Sequence, residues 1–445
     1  MGSPTTGTRS RRNRTPEPAV DDHGHLRELA RRFGTPAYVY DLAALRTAAT
    51  ALADDLPAGT ERLYSLKANP HPAVVRELAA HGLGAEVSST GELDIALAAG
   101  HPAERILYTG PGKTRTETRA ALEAGVVMFS VESLGDRDRL ARACAETGTD
   151  AEYLVRLNGP RGSQRGSLRM TGRPTAFGTD VTAEDDLARM LAPSGRTRPI
   201  GTHTFSASNV NDPDALALEL EQAVATTARV VAQTGFTPEL LDLGGGFSAP
   251  SGRPGGLVRH PLLAAALSTA LDDHFAGWRR GRPRVVVESG RYLTATAGTL
   301  LTTVVDVKES GGRTFAVLDA GVNALGGMSG LGRLMTPGAR PYPVGPGDRA
   351  TGTDESGPGT PRSAGPVSLV GPLCTPLDVL NGAAAMEAPR PGQLLAVPNV
   401  GAYGLTASLL GFLSRPAPVE IVVDGERLVS ARRLVLQPME VEAHA

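Results

Sequence analysis

Between residues 60 and 291 the chain repeats one unit, a short apolar run followed by a stretch with helical spacing. The runs are Leu63–Ala68, Gly84–Ser88, Ile106–Thr109, Val126–Val131, Tyr153–Leu157, Ile200–Phe205, Leu240–Leu243 and Val285–Glu288. They are rich in leucine and β-branched residues and do not alternate strictly, as expected for strands buried on both faces. Helical spacing marks Leu42–Leu56 before the first run. It recurs at Ala73–Ala80, Gly91–Ala99, Thr116–Ala124, Asp136–Glu146, Ala215–Gln233 and Pro261–Arg280. Repeated strand–helix alternation means parallel pairing. Eight units over about 230 residues predict a closed (β/α)8 barrel, with an open doubly wound sheet as the alternative.

After Arg291 the texture changes. Thr299–Val307, Phe315–Asp319, Val367–Val370, Leu394–Val397, Val419–Val423 and Leu428–Ser430 read as strands without long helices between them, hence a mainly antiparallel β domain. The expected division is a disordered tail at 1–18, an N-terminal segment at 19–42 joining the β domain, the barrel at 43–295 and the β domain at 296–445. A loop dense in Pro and Gly is expected at 336–366.

A formal net charge of −2 gives no reason to expect nucleic acid or an anionic membrane as partner. No apolar run approaches the roughly 18–20 residues needed to span a bilayer. The two cysteines, Cys144 and Cys374, lie far apart, which is no disulfide framework and fits a reducing cytoplasm. The histidines lack metal-ligand spacing, so no metal is expected. Gly110-Pro111-Gly112-Lys113-Thr114 ends like a phosphate-binding loop, but Leu107 stands where that pattern needs a glycine.

In a (β/α)8 barrel, functional groups gather at the C-terminal ends of the strands. Lys67, one of only three lysines with Lys113 and Lys308, ends the first run, and lysine can do chemistry that arginine cannot. Glu86 ends the second, and Glu92 opens the next helix. His203 lies in the sixth, with Ser208 after it. Gly244-Gly245-Gly246 follows the seventh, and Glu288-Ser289-Gly290-Arg291 closes the eighth. Bare N–H groups at Gly244–Gly246 can approach an anion. Lys67 can bind an aldehyde, Glu288 can hold a protonated pyridine nitrogen, and the flat ring of His203 can stack on a planar group. Together these are the needs of pyridoxal 5′-phosphate (PLP), an electron sink for carbanions.

In these motifs and their order the chain resembles the fold-type III PLP-dependent decarboxylases, the group of diaminopimelate and ornithine/arginine decarboxylases. The likeness runs from Gly34-Thr35-Pro36-Ala37-Tyr38-Val39-Tyr40-Asp41 to Arg415-Pro416. It implies that Lys67 in Tyr-Ser-Leu-Lys-Ala-Asn is the PLP lysine. By the same likeness His203 stacks on the ring, Glu86 is the acid at strand two, and Ser208 with Gly244–Gly246 holds the phosphate. Glu288 would pair with the pyridine nitrogen, Arg291 would contact phosphate or a substrate carboxylate, and Tyr403 in Gly401-Ala402-Tyr403 would lie near the phosphate. In Gly371-Pro372-Leu373-Cys374, Cys374 would be the acid that reprotonates the carbanion, on a segment reaching the neighbouring subunit. That implies a homodimer with shared active sites.

The departures from the family pattern are informative. Ser289 replaces the familiar proline, and Ala207-Ser208-Asn209 replaces Gly-Ser-Gln. Lysine-, ornithine- and diaminopimelate-type enzymes carry an acid directly after the cysteine, facing the distal amine. Here that residue is Thr375, with Asp378 further on as a more widely shared substrate-side position. Cys374-Thr375-Pro376-Leu377-Asp378 looks more like the subgroup of natural-product and siderophore pathways, some of whose members act on conjugated or carrier-protein-bound amino acids. The expectation is decarboxylation of an amino acid that is not a simple diamino acid. A PLP racemase or epimerase, and a non-catalytic homologue acting as a regulator, are the alternatives.

Overall fold

The computed structural model describes residues 22–159, 166–169, 175–205, 207–326, 338–345 and 365–440. The tail expected at 1–18 lies outside them. The described chain begins with helix α1 (Asp22–Phe33), strand β1 (Ala37–Asp41) and helix α2 (Leu42–Asp54). The amphipathic α1, which the motif reading does not contain, buries Leu26 and Leu29 against Ala37, Val39, Leu301 and Ile421.

Strand–helix units follow: β2 (Glu61–Ser65), α3 (Pro72–Ala80), β3 (Gly84–Val87), α4 (Thr90–Ala98), β4 (Ile106–Tyr108), α5 (Arg115–Glu123), β5 (Met128–Val131) and α6 (Leu134–Thr147). Next come β6 (Ala151–Asn158), β7 (Gly166–Arg169), β8 (Thr179–Asp180), α7 (Glu184–Met190), β9 (Thr197–Thr204), β10 (Ala207–Val210) and α8 (Pro213–Thr234). The series ends with β11 (Leu240–Asp242), α9 (Leu263–His274), β12 (Arg284–Ser289) and α10 (Arg291–Thr294). Local signals set the helix starts. Ser89 and Ser133 cap α4 and α6, Thr114 and Glu117 form a reciprocal capping box on α5, and Asp212 with Pro213 opens α8.

Strands β2, β3, β4, β5, β6, β9, β11 and β12 pair in that order, all parallel, and β12 returns to β2. The sheet is therefore closed, which removes the open doubly wound alternative. Leu63, Leu107, Leu154, Ile200, Leu240 and Val286 fill its lower interior as one layer, with Met128 packed against them. Each such side chain contributes ~1.5–3 kcal/mol by leaving water. A Cβ on Gly201 would lie 1.7 Å from the Leu240 carbonyl oxygen, so only glycine lets β9 and β11 pack there. At the strand starts, Arg284 pairs with Glu61, and Arg198 with Glu152 and Glu239, closing the barrel floor with charge.

The expected first run differs at its end. β2 stops at Ser65, and Leu66–Ala68 forms a single tight turn closed by Asn69 N–H donating to Leu66 O at 3.0 Å. Lys67 thus sits on a turn above the sheet rather than in it. The helix α7 falls where the sequence reading has none.

The β domain contains β13 (Gly298–Ser310), β14 (Arg313–Leu318), β15 (Tyr342–Pro343), β16 (Val367–Val370), β17 (Val379–Ala384), β18 (Leu394–Val397), β19 (Val419–Asp424) and β20 (Arg427–Arg433). Most pairs are antiparallel, but β1–β19 and β14–β16 run parallel, so the sheet is mixed. β1 lies between β13 and β19. Part of the loop expected at 336–366 is instead a strand, because Tyr342 and Pro343 pair with Ala396 and Leu395; residues 346–364 lie outside the described chain. Among the described residues no helix is long and apolar enough to cross a membrane.

Candidate active site

Barrel register assembles the site. Arg156 on β6 pairs with His203 on β9, and His203 pairs with Asp242 on β11, so three polar side chains form one row above the apolar layer. Glu86, next to last in β3, pairs with Ser65, and Glu288 is next to last in β12. Glu86, His203, Asp242 and Glu288 are all buried.

Lys67 Nζ donates to both oxygens of Glu86 at 2.9 Å. Glu86 also accepts from Thr109 Oγ1 at 2.6 Å. Burial alone would raise the Glu86 carboxyl, but Lys67 and hydrogen bonds from Ser65 and Thr109 outweigh it and hold it below its ordinary value. Burial likewise acts to lower the Lys67 pKa. The Glu86 carboxylate leads the groups that override it, so the ammonium is held above the ordinary lysine value although 42% of its side chain meets solvent.

His203 is 1% exposed. Burial, then the charges of Arg156, Lys67 and Lys113, push its pKa well down, so the ring is neutral. Its Nδ1 bonds Ser130 Oγ at 2.8 Å, and its Nε2 lies 3.4 Å from Glu288 Oε1 without an ion pair. Burial, then Glu86 and Asp242, push the Glu288 carboxyl far up. Asp242 moves the same way, to about 7, with burial first and Glu86 next among the raising causes.

Gly244–Gly246 caps β11. Gly244 and Gly246 have φ of +68° and +111°. A Cβ on Gly244 would lie 2.2 Å from Thr204 O, and one on Gly245 2.2 Å from Glu288 O. Only bare backbone fits; Gly244 N–H already donates to Asp242 Oδ1 at 2.8 Å, so the N–H groups of Gly245 and Gly246 are the ones offered to an anion. Val210 N–H donates to Gly246 O at 2.9 Å, which brings β10, and with it Ser208, to this turn. The Arg291 guanidinium lies over the Tyr403 ring at 4.8 Å, and burial lowers its pKa. Tyr403 comes from the β domain and takes φ +53°. Its N–H donates to Ala68 O at 2.7 Å, and Asn69 Nδ2 donates to Gly401 O at 2.9 Å, so the Lys67 turn is clamped between the domains. A Cβ on Gly290 would come within 2.9 Å of Ala68 Cβ, which explains the glycine beneath that turn.

Among the buried polar atoms here, His203 Nε2, Asp242 Oδ2, Glu288 Oε1 and Arg291 Nε have no hydrogen-bond partner. An acid and a flat neutral ring within a barrel mouth, beside bare backbone and a guanidinium, fit a planar nitrogen heterocycle carrying a phosphate, with Lys67 at its edge. A separate small cavity lies at the opposite end, lined by the apolar layer, Asp242 and the charged floor, away from Lys67.

Cys374 lies apart from this cluster, exposed on the loop between β16 and β17. Thr375 is half-buried and accepts from Leu377 N–H at 3.3 Å. Asp378 is the acid expected on the substrate side. It is buried, and its oxygens accept Val322 N–H and Leu373 N–H at 2.7 Å each. Glu92 caps α4, accepting Ser88 N–H at 2.8 Å. Asp242 and Arg156 belong to none of the motifs. The available signal was a charge inside each of two apolar runs, Leu240–Leu243 and Tyr153–Leu157.

Residues 42–295 match the family described as pyridoxal-dependent decarboxylase, pyridoxal binding domain. The chain is 30% identical over 406 residues to an L-glutamyl-[BtrI acyl-carrier protein] decarboxylase of Niallia circulans, covering 90% of this chain and 91% of the relative. It is 34% identical over 416 residues to a diaminopimelate decarboxylase of Actinosynnema pretiosum subsp. auranticum, covering 91% and 88%. The fold matches diaminopimelate decarboxylase from Helicobacter pylori complexed with L-lysine at a TM-score of 0.76 and 23% identity, covering 92% of this chain and 95% of that one.

Proposed function

The chain belongs to the pyridoxal-dependent decarboxylases, and from that premise we propose that it acts on an amino acid whose distal end is uncharged because it is joined to a carrier protein or other conjugate. Thr375 carries this reading. It follows Cys374 where enzymes for free diamino acids place a carboxylate. A distal ammonium brought there would lose its partner, at a cost of a few kcal/mol in a buried site. The relative from Niallia circulans, whose substrate is a glutamyl group on a carrier protein, supports the same substrate class and a biosynthetic role.

PLP would be held by Lys67 at its aldehyde carbon, by Glu288 at the ring nitrogen and by His203 against the ring face. Ser208, Gly244–Gly246, Arg291 and Tyr403 would hold its phosphate. Bound there, PLP supplies the electron sink that lets the bond from Cα to the carboxylate break. Lys67 reacts only as the neutral amine. Glu86, hydrogen-bonded to Nζ through both oxygens, is the nearest group to take and return that proton. His203 stays neutral and adds no charge beside Glu288. Once carbon dioxide has left, Cys374 delivers a proton from Sγ to the substrate carbon. Its exposed loop would close the site of a second copy in a head-to-tail homodimer.

Purified protein with PLP in deuterated water, given free amino acids and carrier-tethered glutamate, tests this by product mass. Carbon dioxide loss with one deuterium gained on the tethered substrate supports the reading. Faster turnover of free lysine, ornithine or diaminopimelate would refute it. Lys67→Ala should abolish turnover.

A further inference from the structure

One buried carboxylate is unused by that scheme. Asp242 is 1% exposed. Its Oδ1 accepts Gly244 N–H at 2.8 Å, and its Oδ2 is buried without a hydrogen-bond partner. One nitrogen of His203 and one oxygen each of Asp242 and Glu288 lie within 4.8 Å of one another. Glu288 N–H donates to Gly244 O at 2.7 Å, so the glycine turn ties the two acids together through the backbone.

We infer that Asp242 is a positioning residue for the ring-nitrogen site: its Oδ2 takes the proton that Glu288 gives up in order to face a protonated ring nitrogen. The inference rests on the reading that Glu288 meets that nitrogen. With no ligand, two carboxylates this close and this buried cannot both ionise, so they share a proton. Glu288 is its holder, because Gly244 N–H donates to Asp242 Oδ1 and favours the ionised form there, whereas Glu288 Oε1 has no donor. A cation at Glu288 reverses the preference. The O–H bond on Glu288 breaks, an O–H bond forms on Asp242 Oδ2, and the new acid donates back to Glu288. No proton leaves the pair, and Oδ1 keeps its bond to Gly244.

The surrounding charges permit this. Glu86 faces the pair from β3 and is held ionised by Lys67 on the turn after β2. Arg156 from β6 favours ionised carboxylates, and its side chain is held by Glu132 at 2.9 Å. His203 from β9 is neutral, and Lys113, which adds to the field on that histidine, is paired with Asp136 at 2.8 Å. None of these offers Glu288 an alternative proton acceptor of comparable strength.

The test uses 4′-deoxypyridoxine 5′-phosphate, which has the ring and phosphate but no aldehyde for Lys67. Calorimetric titration near neutral pH, in two buffers of different ionisation heat, counts protons released on binding. Asp242→Asn keeps an acceptor for Gly244 N–H but cannot take a proton, so it should release about one proton more per site than the wild type. Equal counts would overturn the inference. In a Glu288→Gln background the same change should alter nothing, and a persisting difference there also overturns it. A second measurement needs no variant: in the wild type the infrared band of a buried protonated carboxyl should survive loading, and its loss would refute the idea. Failure of the wild type to bind the probe would instead sink the cofactor reading itself.

Discussion

The loop that carries Cys374 hangs on Asp378, and removing that carboxylate is the sharpest test of how the β domain shapes the site. Its oxygens accept Val322 N–H and Leu373 N–H at 2.7 Å each. Gly321 and Gly371 press on it so closely that a Cβ on either would lie 2.2 or 2.3 Å from its oxygens. Hydrogen bonds to a charged acceptor contribute ~1.5–3 kcal/mol each. Burial raises the Asp378 pKa, so desolvating the carboxylate offsets part of that gain. Asp378→Ala leaves two buried donors unpaired and should destabilise the domain by about 2–4 kcal/mol. For a domain of this size that lowers the melting temperature by about 5–15 °C. Asp378→Asn keeps one acceptor and sets an NH2 against the other N–H, so it should fall between. Thermal unfolding followed by circular dichroism, with turnover on the same samples, reads both effects. An alanine variant that melts with the wild type and keeps its rate would show that the loop does not depend on this carboxylate.

Gly245→Ala should raise the PLP dissociation constant at least about tenfold, ~1.4 kcal/mol, because its Cβ would lie 2.2 Å from Glu288 O and must displace the end of β12. Fluorescence titration reads it, and an unchanged constant would refute the cradle. Ellman's reagent should find one fast thiol in the unliganded protein, since Cys374 is exposed while Cys144 is buried with its pKa pushed to about 11. Cys374→Ser should remove the fast phase. His71 and His101 are buried, and burial, followed by Arg432 and Arg105 respectively, lowers them from 6.5 to about 3 and about 4. The unfolded chain takes up protons that these native groups refuse. Stability is therefore full above about 6.5 and lost as pH falls towards those values. His71→Asn, which keeps a cap on α3, should flatten that slope, and an equally steep melting profile would exclude His71 as its source.

The sequence by itself determined the barrel and most of the groups at its mouth. Strands buried on both faces must be apolar throughout, so the eight runs stand out, and a lysine, a histidine, an acid or a glycine run at their ends is conspicuous against them. The periodic signal also placed α2 to α6 and α8 to within two residues, while it missed α1 and overran α9, which ends at His274 rather than Arg280. It did not reveal α7 between β6 and β9, whose seven residues are too short for a clear period, nor the strand β17, in which Gly382 interrupts the pattern. The parallel pairing of β1 with β19 was equally hidden, because it joins segments almost four hundred residues apart.

Only the tertiary structure decided how the site is wired. Asp242 and Arg156 look like isolated charges in apolar runs, and their meaning comes from register, which sets both beside His203. Asp378 reads as one more loop acid until two backbone N–H groups converge on it from different segments. The protonation states are also tertiary facts. Lys67 stays charged because neighbouring groups override burial, and His203 stays neutral because burial and the nearby cations both lower its pKa; those neighbours come from strands that only closure of the barrel brings together.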